Sequence, residues 1–115
     1  MFSDIDRGRA LENAVFLELL RKKGPTQSIN YLKLRSGKEV DFIISGKTKE
    51  LIQVSYQLSD TFTKSREISA MVEAAKGLGL HEAKVITHNF EGEDAFDGVS
   101  IKYIPFWVWA LPNMQ

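Results

Sequence analysis

Three short runs rich in β-forming residues follow one another with almost no chain between them: Ile29 to Leu34, Glu39 to Ile44 and Leu51 to Tyr56. Ser36-Gly37 sits in the first gap and Gly46-Lys47-Thr48 in the second. Both gaps suit a tight turn and are far too short for a parallel crossover, so the runs are predicted to be consecutive antiparallel strands. Ahead of them, between Arg9 and Lys23, apolar residues fall nearly all round a 3.6-residue period and stop at Gly24-Pro25. That pattern predicts a mostly buried helix with a clean end. After the polar stretch 57–63, Ile68, Met71, Val72, Ala75 and Leu78 share one face of a second helix, with Thr63 as its expected N-cap and Glu67, Ser69, Glu73 and Lys76 turned away. Lys84 to Thr87 then reads as a fourth strand, and a helix between two strands implies a crossover and a parallel pairing. An acidic loop, 89–98, leads to a last strand, Ser100 to Ile104, and to an aromatic segment, 105–111, expected to close the core as a short helix. The predicted fold is α/β: a mixed five-stranded sheet, with an αβββαβ core, flanked by helices.

At 115 residues the chain is one domain's worth, and 43% hydrophobic with 26% charged residues is the composition of an ordinary globular protein. Residues 1–115 are therefore taken as a single domain. Without cysteine there can be neither a disulfide nor a thiolate metal site. No apolar run reaches the roughly 18 residues that span a bilayer, and the acidic N-terminus has no signal-peptide core, so a cytoplasmic protein without membrane contact is expected. Net charge is zero, yet residues 1–49 hold ten Lys or Arg against six acids while the remainder hold five against nine. A positive front half beside carboxylates would suit a phosphate-backbone ligand, and Arg21, Lys22, Lys33 and Arg35 are its candidate contacts.

A hairpin centred on Lys47 sets Asp41 opposite Gln53 and Glu39 opposite Ser55. Val40, Phe42, Ile44, Ile52, Val54 and Tyr56 then share one face, and polar Glu39, Asp41, Gln53 and Ser55 gather on the other with Ile43 and Leu51. On the first helix Glu12 lies between Val15, Phe16 and Leu19, so its carboxylate is expected in an apolar setting that asks for a partner or a metal; Arg9 is the alternative partner. Glu12, Asp41 and Gln53 are hard oxygen ligands of the kind Mg2+ or Mn2+ accepts.

The order G-R-A-L-E-N, E-V-D-F-I-I, L-I-Q-V-S-Y, T-K-S-R-E-I-S-A, V-I-T-H and I-P-F-W-V-W-A-L resembles the C-terminal domain of unknown function that follows the AAA-type ATPase module in many archaeal and bacterial ATPases. The likeness runs from about Arg7 to Leu111. That domain is itself similar to the PD-(D/E)XK nuclease superfamily, the restriction-endonuclease-like fold shared with Holliday-junction resolvases. The resemblance implies that Glu12 is the helix glutamate, Asp41 the metal-binding aspartate and Gln53 the first residue of the E-x-K half-motif. Its lysine position falls on Ser55, which supplies no positive charge to the developing phosphate charge or the attacking water. Lys38, Lys64 and Arg66 are the candidates for a displaced cation. Gly46-Lys47-Thr48 resembles the end of a phosphate-binding loop, but Asp41 stands where that motif needs its first glycine, so no nucleotide site is expected in this chain.

Three functions follow as expectations. The first is a nuclease-like accessory domain of an ATPase, with the AAA-type module in cis or in trans, that binds nucleic acid or a partner protein and has weak or lost hydrolysis. The second is an active Mg2+-dependent endodeoxyribonuclease of the Holliday-junction-resolvase kind. The third is a structural module for homodimerisation or docking.

Overall fold

The computed structural model describes residues 3–57 and 61–111, with the backbone but not the side chains of Asp4 and 61–63. The elements in chain order are α1 (Asp4–Lys22), β1 (Ser28–Lys33), β2 (Glu39–Ser45), β3 (Lys49–Ser55), α2 (Thr61–Leu78), β4 (Glu82–Thr87), β5 (Gly92–Phe96), β6 (Val99–Pro105) and α3 (Phe106–Trp109). They form a mixed α/β fold around one six-stranded sheet of order β1-β2-β3-β4-β6-β5. β1, β2 and β3 are antiparallel neighbours as expected. The α2 crossover places β4 parallel to β3, and β6 lies parallel to β4. Among the described residues no helix is long and apolar enough to cross a membrane.

The sheet has one strand more than the sequence suggested. The acidic segment expected as a loop contains β5, which turns through Asp97-Gly98 and pairs antiparallel with β6. Both turn residues have positive φ, 53° and 84°, the geometry of a two-residue hairpin turn. β5 is an edge strand with mostly exposed residues, so it carries no apolar alternation. The Asp-Gly pair between Phe96 and Val99 was its only sequence signal.

α1 begins five residues before the apolar pattern does, because Ser3 caps it. The Asp6 backbone N–H donates to Ser3 Oγ, 3.2 Å, and the Ser3 N–H donates to Asp6 Oδ2, 3.3 Å, so each residue satisfies an amide of the other. The expected all-round burial of this helix does not occur. Leu11, Val15 and Leu19 are buried, whereas Phe16, Leu17 and Leu20 are 37%, 56% and 47% exposed. One face of α1 meets the sheet, and among the described residues no layer covers the other. α2 already runs from Thr61, so Thr63 is inside it instead of capping it, and the Thr63 side chain lies outside those described.

Two cores result, one on each face of the sheet. α1 packs over Phe42, Ile44, Ile52, Val54 and Ile86, with Phe106 and Trp109 at their edge. α2 packs through Ile68, Met71, Ala74 and Ala75 over Val40, Ile43, Leu51, Val85, Ile101 and Tyr103. The two-sided sorting of the hairpin is the expected one except at Val40, which joins Ile43 on the α2 side. A bulge explains it. β1 pairs Asn30 with Ile43 and Leu32 with Val40, so Tyr31 alone stands against Asp41 and Phe42, and the alternation slips by one residue.

Leu51 is fully buried in a central strand, whereas Leu17 faces solvent. Leu51→Ala is expected to cost about 2–5 kcal/mol and Leu17→Ala no more than about 0.5 kcal/mol, read as midpoint shifts in urea unfolding at unchanged slope.

Candidate functional site

Asp41 and Gln53 meet where β2 and β3 part. The backbone ladder between these strands runs in the expected register, Phe42 against Ile52 through Ser45 against Lys49. At the next position side chains replace the backbone rungs. The Asp41 N–H donates to Gln53 Oε1, 2.9 Å, and the Val54 N–H donates to Asp41 Oδ2, 2.9 Å. These reciprocal bonds satisfy two amides and hold both side chains in place. They also engage one carboxylate oxygen of Asp41 and one lone pair of Gln53.

The neighbouring carboxyl that sequence reasoning missed is Glu67. It was assigned to the solvent side of α2, but it is half-buried, hydrogen-bonds Ser55, and has its Oε2 buried with no partner among the described residues. The Gln57 carbonyl lies 3.1 Å from Ser55 Oγ as the alternative acceptor of its single proton. Residue 55 is thus a small hydroxyl tied to a carboxyl. The signal for Glu67 was its place one residue before core Ile68 at the start of α2, which a strict helical wheel discounts.

Burial raises Asp41 to about 6; the Val54 N–H works against that shift, and the Glu12 and Glu39 charges add to it. Burial likewise raises Glu67 to about 7, opposed by the Ser55 bond and by the Arg66 charge and reinforced by the charge of Asp41. Asp41 therefore sits within electrostatic reach of acids on both helices. Glu12 itself is exposed, contrary to the apolar setting expected for it, because it lies beside the buried Leu11–Val15–Leu19 stripe instead of within it. Glu39 pairs with Lys33 across β1 and β2, and the expected Glu39–Ser55 pairing lies beyond the end of the β2–β3 ladder. Tyr31, opposite the bulge, hydrogen-bonds Glu39, and that bond is the main cause that pushes its hydroxyl up to about 12.

The candidate cations are dispersed. Lys38 Nζ donates to Ser69 Oγ, 2.9 Å, and to Glu73, 3.4 Å. Lys64 approaches Asp94, 4.0 Å, and lies 5.5 Å over the Tyr103 ring. Of the three proposed substitutes for the lysine, Arg66 is the one whose charge acts at Glu67. Lys33 and Arg35 lie at the Asp41 end of the sheet, on β1 and the turn after it. Arg21 and Lys22 are at the other end, where α1 finishes beside Ile44 and Glu50 at the hairpin. Arg21 is paired with Glu18 there. Among the described residues no three His, Asp or Glu side chains form a ready-made metal cluster.

Fold and site together define a mixed-sheet α/β domain with a carboxyl cluster at the parting of two central strands. The chain belongs to the family described as "Domain of unknown function (DUF4143)", which it matches over residues 7–109. It is 45% identical over 117 aligned residues to the uncharacterized protein MJ1544 of Methanocaldococcus jannaschii, covering 92% of this chain and 25% of that protein. Its backbone is similar, with a TM-score of 0.62 and 13% identity, to a chain in the structure of Thermococcus gammatolerans McrB AAA+ hexamers with bound McrC; 87% of this chain and 28% of that one are covered. The domain spans about a quarter of the length of each of these proteins.

Because both Asp41 and Glu67 are raised above the ordinary carboxyl value near 4, the folded state binds protons there more tightly than the unfolded chain does. The stability this gives is fully present below about pH 4 and is lost as pH rises through about 6 to 7. Asp41→Asn, which keeps an acceptor for Val54, and Glu67→Gln are each expected to flatten that loss. Thermal melts should show both variants more stable than the parent at pH 8, by about 1–3 kcal/mol, and equal to it near pH 4.

Proposed function

We propose that this domain is a nuclease-like accessory module of restriction-endonuclease-like descent that works with an AAA-type ATPase and binds nucleic acid, with hydrolysis weak or lost. The observation that carries this reading is the position aligned with the nuclease lysine: Ser55, buried and hydrogen-bonded to Glu67, brings a second carboxyl where the chemistry needs a cation. The αβββαβ order, Asp41 at the end of the hairpin and Gln53 opposite it support the nuclease ancestry. The association with an ATPase rests on the resemblance of the six motifs and on a fold neighbour whose assembly contains AAA+ hexamers.

The donor set fits a hard divalent cation in part. The oxygen of Asp41 that does not accept from Val54 and the partnerless Oε2 of Glu67 are the groups that would hold Mg2+ or Mn2+, with water for the remaining ligands; among the described residues Glu12 does not join them in a three-carboxylate set, and Gln53 Oε1 is already used by the Asp41 amide. Bound there, such an ion would supply charge stabilisation to a phosphate oxygen. The chain's own contribution would be to orient: the reciprocal bonds hold the Asp41 carboxylate, and Arg66, Lys33 and Arg35 would approach phosphates from the same end of the sheet. Ser55 and Glu67 can hold a proton but place no positive charge at the scissile group.

Branched and linear DNA incubated with the protein in Mg2+ or Mn2+ should therefore show no cleavage beyond that of an Asp41→Ala control. DNA affinity should fall roughly tenfold between about 50 and 200 mM salt, the dependence of about two phosphate contacts, and should weaken in a Lys33→Glu, Arg35→Glu variant. Cleavage abolished by both Asp41→Ala and Glu12→Ala would establish the active endonuclease instead. Binding indifferent to salt would remove the nucleic-acid part of the reading.

A further inference from the structure

On the face of the sheet that α1 covers, an open groove of about 850 Å3 runs between the last turn of α1, the β2–β3 hairpin and α3. Its size falls in the range of about 300–1,000 Å3 typical of ligand sites. Leu19, Ile29, Ile44, Ile104 and Val108 give it an aliphatic floor, with Leu111, 50% exposed, at its lip.

The rim is basic. Among the described residues Arg21, Lys22, Lys23 and Lys84 line the groove against a single acid, Glu50. Glu50 is taken by Lys84 at 2.9 Å, and Arg21 is paired with Glu18. Lys22 Nζ donates to the Trp109 carbonyl, 2.8 Å, and its nearest carboxylate oxygen, on Glu18, is 3.8 Å away. Among the described residues Lys23 Nζ donates to the Gly24 carbonyl alone, 3.3 Å. Lys22 thus keeps a long ion pair with Glu18 beside its Trp109 contacts, and Lys23 faces the groove without a carboxylate partner among the described residues.

From this pairing of apolar floor and basic rim we infer that the groove docks an acidic amphipathic segment of a partner protein, its apolar side chains on the floor and its carboxylates on Lys22 and Lys23. Two observations favour a peptide over a nucleic acid here. The Trp109 ring, which a base would stack on, already carries Lys22 at 4.4 Å from its centroid. The remaining floor is aliphatic, which suits leucine and phenylalanine anchors seated in a groove. Lys22 also ties α3 to α1, so the groove wall is held before a partner arrives, and less ordering is required on binding. The inference is independent of the nuclease-like reading, because none of its residues belongs to the carboxyl cluster.

The test uses a fluorescein-labelled helical peptide with leucine and phenylalanine on one face and glutamate on the other. It is compared with a peptide bearing lysine in place of glutamate, one bearing serine in place of the apolar residues, and single-stranded oligothymidine. The acidic peptide should bind saturably, with a change in tryptophan fluorescence, and the two peptide controls should not. Lys23→Glu, which disturbs only a bond to a backbone carbonyl, should weaken it roughly fivefold, the scale of one or two exposed charge contacts. Leu111→Asp should weaken it comparably, with both variants retaining the parent's circular dichroism and melting. Equal binding of the acidic and lysine peptides, no saturable binding of the acidic one, or tighter binding of oligothymidine would overturn the proposal. So would sedimentation showing a dimer that Leu111→Asp dissociates, since the occupant would then be a second copy of this chain.

Discussion

Burial of β3 on both faces is the constraint from which the rest of the structure follows. Leu51, Ile52, Gln53, Val54 and Ser55 are consecutive and all buried, because α1 closes one side of the strand and α2 the other. A strand so enclosed has no water to satisfy its polar side chains, and an unsatisfied buried polar group costs about 1–3 kcal/mol. Gln53 and Ser55 must find partners inside the protein. Gln53 finds the Asp41 amide, and Ser55 finds the Gln57 carbonyl and Glu67. The location of the carboxyl cluster is thus a consequence of sheet packing as much as of any chemistry it performs.

The same enclosure gives the cluster its electrostatic character. Two partly buried carboxyls within reach of one another, with Glu12 and Glu39 close enough to be felt, are an unstable combination at neutral pH unless a proton or a cation is shared among them. A sheet built only for stability would fill these positions with apolar side chains. Acid stands there at the same end of the domain as Lys33, Arg35 and Arg66, so charges of both signs share that end. Beside the end of α1 a basic, apolar groove offers a second kind of surface, so a single small domain presents two chemically distinct surfaces along one sheet.

Much of the fold was legible in the sequence because it rests on short-range signals. The turn residues at 36–37 and 46–48 gave the antiparallel order, and the symmetry of the second turn gave the register that puts Asp41 against Gln53. β5 was missed because an edge strand with exposed faces has no alternation to read. Val40 changed sides because a bulge depends on how β1 meets β2, which residue parity within one hairpin cannot express. The surroundings of Glu12 and Glu67 were judged in reverse. A helical wheel gives angles about an axis but does not say how far a neighbouring layer extends, and α2 reaches over Ser55 at its first turns while α1 leaves its second apolar stripe uncovered.

The sequence by itself determined the elements other than β5, the antiparallel hairpin, the pairing of Asp41 with Gln53 and a serine at residue 55, since each depends on residue identity and on spacings of a few residues. Only the tertiary structure decided what surrounds Ser55, which acids feel one another and where the cations point. Those depend on the approach of α2 and β1 to one strand end, contacts between residues far apart in the chain whose geometry is set by packing both sheet faces at once. Ser55 alone reads as the loss of a charge; with Glu67 folded against it, the same position becomes part of a carboxyl cluster.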